Sequence, residues 1–152
     1  MRIQEIEPGA FVRIPLPDGS FAYGRLLERP YVAFYNYRTL KPNTDLGTIA
    51  TQPILFKLAV RMSGTKKWEL LGVKDLEEEM VKPVVSYMQD LIDFRQCIIF
   101  DTAGNRREVT PEVCVGIEQA AVWEAEGIEE RLLDTFMGRP NQEEIRSRVR
   151  LK

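Results

Sequence analysis

The reading of the fold turns on "VRIPLPDGSFAYGRLLE", Val12 to Glu28. Two apolar runs flank Pro17-Asp18-Gly19, a turn by its chemistry: proline presets φ, aspartate bonds locally, and glycine accepts positive φ. Phe11-Val12-Arg13-Ile14 alternates as a strand does. Pro15 lacks an N–H and marks a strand end or edge. Phe21 to Glu28 returns, Arg29-Pro30 breaks the run, and Tyr31 to Tyr37 supplies a third strand rich in aromatic and branched residues.

Working outward, residues 40–53 read as a loop. Ile54 to Met62 reads as a buried strand, Ser63-Gly64-Thr65 as a turn, and Trp68 to Val73 as a short strand. Residues 75–94 admit two readings. Glu78, Glu79, Lys82, Ser86, Gln89, Asp90 and Asp93 share one helical face, which suits an amphipathic helix. An interior Pro83 costs ~3 kcal/mol, which favours a short helix followed by a strand. Cys97 to Phe100 is a strand, Thr102 to Asn105 a turn, and Arg106 to Val109 pairs back.

Thr110-Pro111-Glu112 has the cap, the first-turn proline and the acid of a helix start. The pattern predicts a helix to about Glu126 with Gly127 as its stop. A second helix, Ile128 to Met137, would bury Ile128, Leu132, Leu133 and Phe136 and end at Gly138. Strands first and helices last is an α+β order. The expected architecture is an N-terminal antiparallel, strongly twisted sheet with two C-terminal helices packed on it. Residues 1–138 form one domain in this reading, and 139–152 a mobile basic tail.

Composition narrows the function classes. The chain has 152 residues, 44% of them hydrophobic and 29% charged, which is ordinary for a soluble domain. A net charge of −2 argues against general nucleic-acid affinity. The absence of histidine excludes Ser-His-Asp and Cys-His nucleophile systems and His-based zinc sites. Cys97 and Cys114 have no metal-ligand spacing and read as ordinary thiols of a reduced compartment. The opening "MRIQEIEPGAF" lacks an apolar run of leader length, and no membrane span is expected.

Several motifs have a plainer reading than their chemistry. "DTAGN", Asp101 to Asn105, is similar to a GTPase switch sequence, but no GxxxxGK[ST] loop accompanies it, so it reads as a β-turn. "SGTKK", Ser63 to Lys67, reads as a solvated turn. Asp90, Asp93 and Asp101 would bind a hard cation only if they converged. No metal and no cofactor are expected. Tyr23 and Arg25 sit two apart and share a strand face with Phe21. Such a face can stack bases or small ligands, or cover a core with arginine lying across a ring. Gly24 between them marks a bulge or a close backbone approach.

From Thr110 to Met137 the acids are Glu112, Glu118, Glu124, Glu126, Glu129, Glu130 and Asp134. The only base is Arg131, so seven minus one leaves a local charge of −6. That is a solvated surface or a docking face for a basic partner. On the helical wheel Glu124 falls among Val113, Ile117 and Ala120, so it must be paired, protonated, or exposed where the helix leaves the core.

Two blocks together resemble a known family. "PGAFVRIPLPDGSFAYGRLL", Pro8 to Leu27, is similar to the opening of the immunity protein 26 family, with its Pro-Leu-x-Asp-Gly turn and Tyr-Gly-Arg return strand. "CVGIEQAAVWEAEGIEERLLDTF", Cys114 to Phe136, is similar to its closing block through Gly116, Glu118, Ala120, Ala121, Val122 and Trp123, then Ile128, Glu129, Arg131 and Leu132. Gly127 stands where many members have histidine. The resemblance implies a non-enzymatic immunity protein of a bacterial polymorphic-toxin or contact-dependent inhibition system. It implies a monomer, or a heterodimer with a cognate toxin C-terminal domain in the cytoplasm, a basic nuclease being a typical toxin. Expected contacts are Glu118, Glu126, Glu129, Glu130, Tyr23 and Arg25. The alternatives are a nucleic-acid or small-ligand module using the aromatic and arginine sheet face, or a histidine-free hydrolase using paired carboxylates. The sequence offers no specific carboxylate pair for the latter.

Overall fold

The structure is a computed structural model that describes residues 7–152. Met1 to Ile6, part of the stretch read for a leader, lie outside the described residues. The chain forms two compact units. The first holds the described residues up to Val81 together with Val122–Asn141; the second holds Lys82–Ala121 with Gln142–Lys152. The fold is α+β, with strands dominating the N-terminal part and the longest helix near the C-terminus.

The first unit is built on a six-stranded sheet. Its strands are β1 (Ala10–Pro15), β2 (Phe21–Leu26), β3 (Tyr31–Thr39), β4 (Ile54–Val60), β5 (Glu69–Val73) and β9 (Val122–Trp123), in spatial order β5-β1-β2-β3-β4-β9. All neighbours are antiparallel except β4 and β9. The expected hairpin sets the register, pairing Arg13 with Tyr23 and Val12 with Gly24. Its turn works as its residues dictate. Gly19 has φ +85°, and the Asp18 carboxylate accepts from the Ser20 N–H at 3.0 Å and from Arg38 at 2.8 Å. These donors, the Ser20 side chain foremost, hold the Asp18 carboxyl far below the usual carboxylate range.

Both faces of this sheet are covered. One face carries Val12, Ile14, Ala22, Leu26, Val32, Phe34, Leu58 and Val60. It packs with Trp68, Trp123 and the apolar side of α3 (Ala125–Met137), namely Ile128, Leu132 and Leu133. The other carries Phe11, Tyr23, Arg25, Ala33 and Tyr35, all without exposed surface. Gly24 answers to both of its expected roles. The β2–β3 register shifts between Ala22 and Gly24, and a Cβ there would meet Val32 Cγ1 at 3.1 Å.

Three segments differ from the sequence reading or decide it. Residues 40–53 contain a helix, α1 (Leu46–Ala50), capped by Asp45, whose carboxylate accepts from the Thr48 hydroxyl at 2.8 Å. Gly47 and Thr48 are poor helix formers, so only the cap advertised it. Residues 75–94 are α2 (Glu78–Val81) and then β6 (Val85–Gln89), with the break at Pro83. The helix expected from Thr110 to Glu126 does not form. Pro111–Cys114 makes one 3-10 turn, Gly116 takes φ +84°, and the chain runs extended into β9. Of the apolar arc drawn for that helix, Val113 and Ala120 are exposed and only Ile117 is half-buried, against Tyr87, Cys97 and Cys114, so one helical face is not what buries them. Gly127 accordingly sits inside α3, while Gly138, at φ +68°, ends α3 as expected.

The second unit is a three-stranded antiparallel sheet of β6, β7 (Cys97–Asp101) and β8 (Arg106–Val109). Tyr87, Cys97 and Cys114 form its small core, with Ile99, Val109, Ile117 and Val149 against them. Both cysteines are free thiols, and burial pushes Cys114 up to about 11. The helix α4 (Gln142–Arg146) belongs to this unit, the Tyr87 hydroxyl donates to the Ser147 carbonyl, and Gln89 donates to the Arg150 carbonyl at 2.7 Å. "DTAGN" is the β7–β8 turn, with the Asp101 carboxylate accepting from the backbone of Ala103 at 2.9 Å and of Asn105 at 3.1 Å.

Gly9 fixes the start of β1 against the end of β5. It has φ +99°, its carbonyl accepts from the Lys74 N–H at 3.2 Å, and an added Cβ would sit 2.2 Å from the Lys74 carbonyl oxygen. Gly9→Ala is therefore expected to cost roughly 3 kcal/mol, combining backbone strain with a backbone clash. Gly19→Ala, whose Cβ meets nothing within 4 Å, should cost only the strain, about 1 kcal/mol. Urea denaturation measures both, and equal losses would count against the close-approach argument.

Candidate partner-binding surface

Arg25, a candidate contact by sequence, is wholly inside the first unit. The strand period puts it on the covered face beside Tyr23, and its guanidinium lies over the Phe11 ring, 3.9 Å from the centroid. Phe11 in turn stacks on Tyr35. Nε donates to the Gly9 carbonyl at 2.7 Å, and Nη2 donates to the carbonyls of Lys74 at 2.8 Å and Asp75 at 2.9 Å. Nη1 donates to Glu77 at 2.9 Å and to the Tyr35 hydroxyl at 3.3 Å. Burial, opposed by Arg25, holds the Tyr35 phenol above its ordinary value.

Tyr23 is equally buried. Its hydroxyl pairs with the Thr39 hydroxyl at 2.6 Å and accepts from the Asn43 N–H at 2.9 Å, while its ring lies 5.3 Å from that of Tyr37. It pins the loop after β3. Neither Tyr23 nor Arg25 has surface to offer a partner. The base-stacking reading loses its platform for the same reason, since Tyr35 is buried with them. The residues that hold Arg25 escaped the sequence reading because Glu77 lies 52 positions away and two of the acceptors are backbone carbonyls.

The acids are placed quite differently. Glu126, Glu129 and Glu130 lie on α3 at helical spacings of three and four, so their charges are neighbours. Glu126 and Glu130 are exposed and Glu129 is half-buried. Glu124 precedes the helix as its exposed N-cap residue and pairs with Arg61 at 2.5 Å, which resolves its apparent place in an apolar arc. Asp134 pairs with Arg139 at 3.2 Å. Arg131 points inward, buried over the rings of Phe56 at 4.0 Å and Trp123 at 5.0 Å. Glu118 is in the second unit, half-buried, with its carbonyl accepting from the Tyr87 N–H at 3.0 Å. The sequence-predicted acids are thus divided between the units, with three of the four named contacts on α3.

Glu129 is the perturbed member. Its carboxylate accepts from Trp68 Nε1 at 2.9 Å, yet burial raises its pKa above the ordinary glutamate value, against the pull of Trp68 and Lys67 and with help from Glu126. Among the described residues no cluster of side chains is arranged to hold a metal.

Removal of the Arg25 guanidinium takes the donor from the Lys74 and Asp75 carbonyls and the buried Tyr35 phenol and the counter-charge from Glu77. Arg25→Leu and Arg25→Lys are each expected to cost about 3–5 kcal/mol in urea titrations. Glu77→Gln, whose carboxylate is 47% exposed, should cost roughly 1 kcal/mol. A lysine variant as stable as the parent would overturn the view that the fork geometry matters. Glu129 gives a pH test. A carboxyl with a raised folded pKa binds more protons in the native than in the unfolded state between the two values. Stability therefore falls as pH rises through that interval, and the cost is absent below about pH 4. Glu129→Gln keeps an acceptor for Trp68, so it should be more stable than the parent at pH 7 and equal to it near pH 4. Thermal melts at both pH values decide this, and a variant with no advantage at pH 7 would refute it.

A model of the family described as Immunity protein 26 matches residues 7–98. The match takes in the opening block, the Arg25 network up to Glu77, and β6; the block from Cys114 to Phe136 lies beyond it. No curated protein and no solved structure matches the chain. With more than half of its length matched by the family model, the chain belongs to the immunity protein 26 family.

Proposed function

We propose that this chain neutralises a cognate toxin domain by binding it stoichiometrically and covering its active site or substrate surface. The toxin would be the C-terminal domain of a large secreted protein of a polymorphic-toxin or contact-dependent inhibition system, met in the bacterial cytoplasm. Family membership supports the class of partner. No helix among the described residues is long and apolar enough to cross a membrane, which is compatible with that meeting place.

The observation that carries the reading of the surface is the stripe of Glu126, Glu129 and Glu130. Like charges one turn apart destabilise a helix, and Glu129 adds the cost of a partly dehydrated carboxylate. Sites of function commonly trade stability in this way. The stripe favours a basic partner, such as a nuclease whose substrate-binding surface is itself positive, and would speed the encounter by electrostatic steering. Glu118 is a further proposed contact from the second unit. Inhibition of this kind needs no turnover by the chain.

The test is association with the C-terminal toxin domain encoded beside this chain. The unsubstituted chain should form a one-to-one complex, abolish the toxin's activity and protect cells that express it. Glu126→Lys with Glu130→Lys, both at exposed sites, should slow association by ~10-fold or more at low salt and flatten its salt dependence. Absence of a complex would sink the reading, and unchanged association would remove α3 from it.

A further inference from the structure

The second unit carries a surface that neither the acids nor the Arg25 network explains. The β6–β7 loop projects Leu91 and Ile92 into solvent, 95% and 98% exposed. Single exposed aliphatics are ordinary, whereas two adjacent ones on a fixed loop beside a groove are not. The loop is fixed by its own carboxylates. Asp90 accepts from the N–H groups of Ile92 at 2.8 Å and Asp93 at 2.7 Å, and Asp93 accepts from that of Arg95 at 3.2 Å. Backbone bonds from Asp90 to Gln96 at 2.9 Å and from Gln96 to Asp93 at 3.0 Å close its base. These acids, read from sequence as a possible cation set, are spent on turn geometry.

The two ends of this loop, Asp90 and Arg95, line a groove of about 580 Å³. Its floor includes Met88 and Ile98, which are register partners on β6 and β7, and Ile98 pairs in turn with Glu108 of β8. Met88 is 54% exposed. The charges that line it are Asp90, Glu108 and Arg95, and Glu112 takes up the Arg95 charge at 2.8 Å. The groove is thus apolar underneath with a negative balance at its rim. Arg150 lies close by: its guanidinium is 6.0 Å from the Phe94 ring, and its backbone exchanges hydrogen bonds with Gln89, which lines the groove.

We infer that the Leu91–Ile92 ridge and the Met88/Ile98 groove form a docking surface for a segment of the toxin that presents apolar side chains flanked by lysine or arginine. The ridge enters an apolar hollow of the partner while the groove receives the partner's apolar side chain, and Glu108 meets the flanking base. A loop already locked by side-chain hydrogen bonds loses little freedom on binding, which suits a pair of anchoring residues. This inference rests on the proposed function, and its occupant follows from the apolar floor and the sign of the rim charge.

The experiment measures association and dissociation of the toxin domain encoded beside this chain with Leu91→Ser/Ile92→Ser and, separately, Glu108→Lys. All three sites are exposed, and thermal melts should show the parent's fold and stability. The double variant is expected to dissociate roughly 100-fold faster with little change in association rate. Glu108→Lys should weaken binding several-fold. Undiminished binding by the double variant overturns this inference alone. No binding by the unsubstituted chain overturns the proposed function and this inference with it. Sedimentation of the free chain as a dimer that the double variant makes monomeric would assign the surface to a second copy and overturn the toxin as its occupant.

Discussion

The first unit depends on one buried cation. Dehydrating a guanidinium costs several kcal/mol unless its donors and its charge are met. Arg25 is met on every side by Gly9, Lys74, Asp75, Glu77, Tyr35 and the face of Phe11. Those partners belong to the start of β1, the end of β5, the segment leading to α2, and β3. A single side chain on β2 therefore positions segments that are remote in sequence. Packing alone specifies such positions weakly, whereas a planar fork admits one arrangement of acceptors. Gly9 completes the node, because only a residue without Cβ brings its carbonyl to Arg25 while lying against Lys74.

A second buried cation lies under α3, and it shapes the outside of that helix. Arg131 is laid across Phe56 and Trp123 rather than pointed to solvent. The only base between Thr110 and Met137 is thereby buried, and Glu126 and Glu130 are exposed on α3 with Glu129 half-buried against Trp68. A charge count along the chain treats Arg131 as partial compensation. In three dimensions it lies against the rings of Phe56 and Trp123 while Glu126 and Glu130 stay exposed.

Legibility in the sequence followed locality. The β1–β2 hairpin was readable because Pro17, Asp18 and Gly19 each perform a turn function within a few residues. The stop at Gly138 is readable for the same reason, and Pro83 favours a break between α2 and β6 without excluding a single helix. The helix expected at Thr110 failed because its start signals were genuine but its continuation was not. Pro111 and Glu112 begin a 3-10 turn, and Gly116, at positive φ, redirects the chain before a second turn can form. Tyr23 and Arg25 were placed on the right strand face, but the sequence does not say that this face is covered. The burial of Arg25 rests on carbonyls 49 and 50 positions away. The acids of the candidate surface were legible as charge, and their division between α3 and the second unit was not. Leu91 and Ile92 were hidden because aspartates on either side suggested a helical face or a cation set, when their work is to stiffen a turn.

The two proposed surfaces differ in what they can contribute to a complex. Exposed carboxylates on α3 act over a distance set by salt, about 8–10 Å under physiological conditions, and they raise the rate of encounter more than the final affinity. Aliphatic side chains act only on contact, and their burial slows dissociation. An inhibitor that must intercept a toxin before it reaches its substrate gains from the first, and one that must keep it inactive gains from the second. The distribution of chemistry in this chain fits that division. Its interior consumes Arg25 and Arg131 and its turns consume Asp18, Asp90, Asp93 and Asp101, while Glu126 and Glu130 on α3 and the Leu91–Ile92 ridge stay exposed. Tyr23-Gly24-Arg25, the most suggestive triplet in the sequence, serves neither surface directly: its side chains are spent inside the first unit, tying β2 to Gly9, Thr39, Lys74 and Asp75.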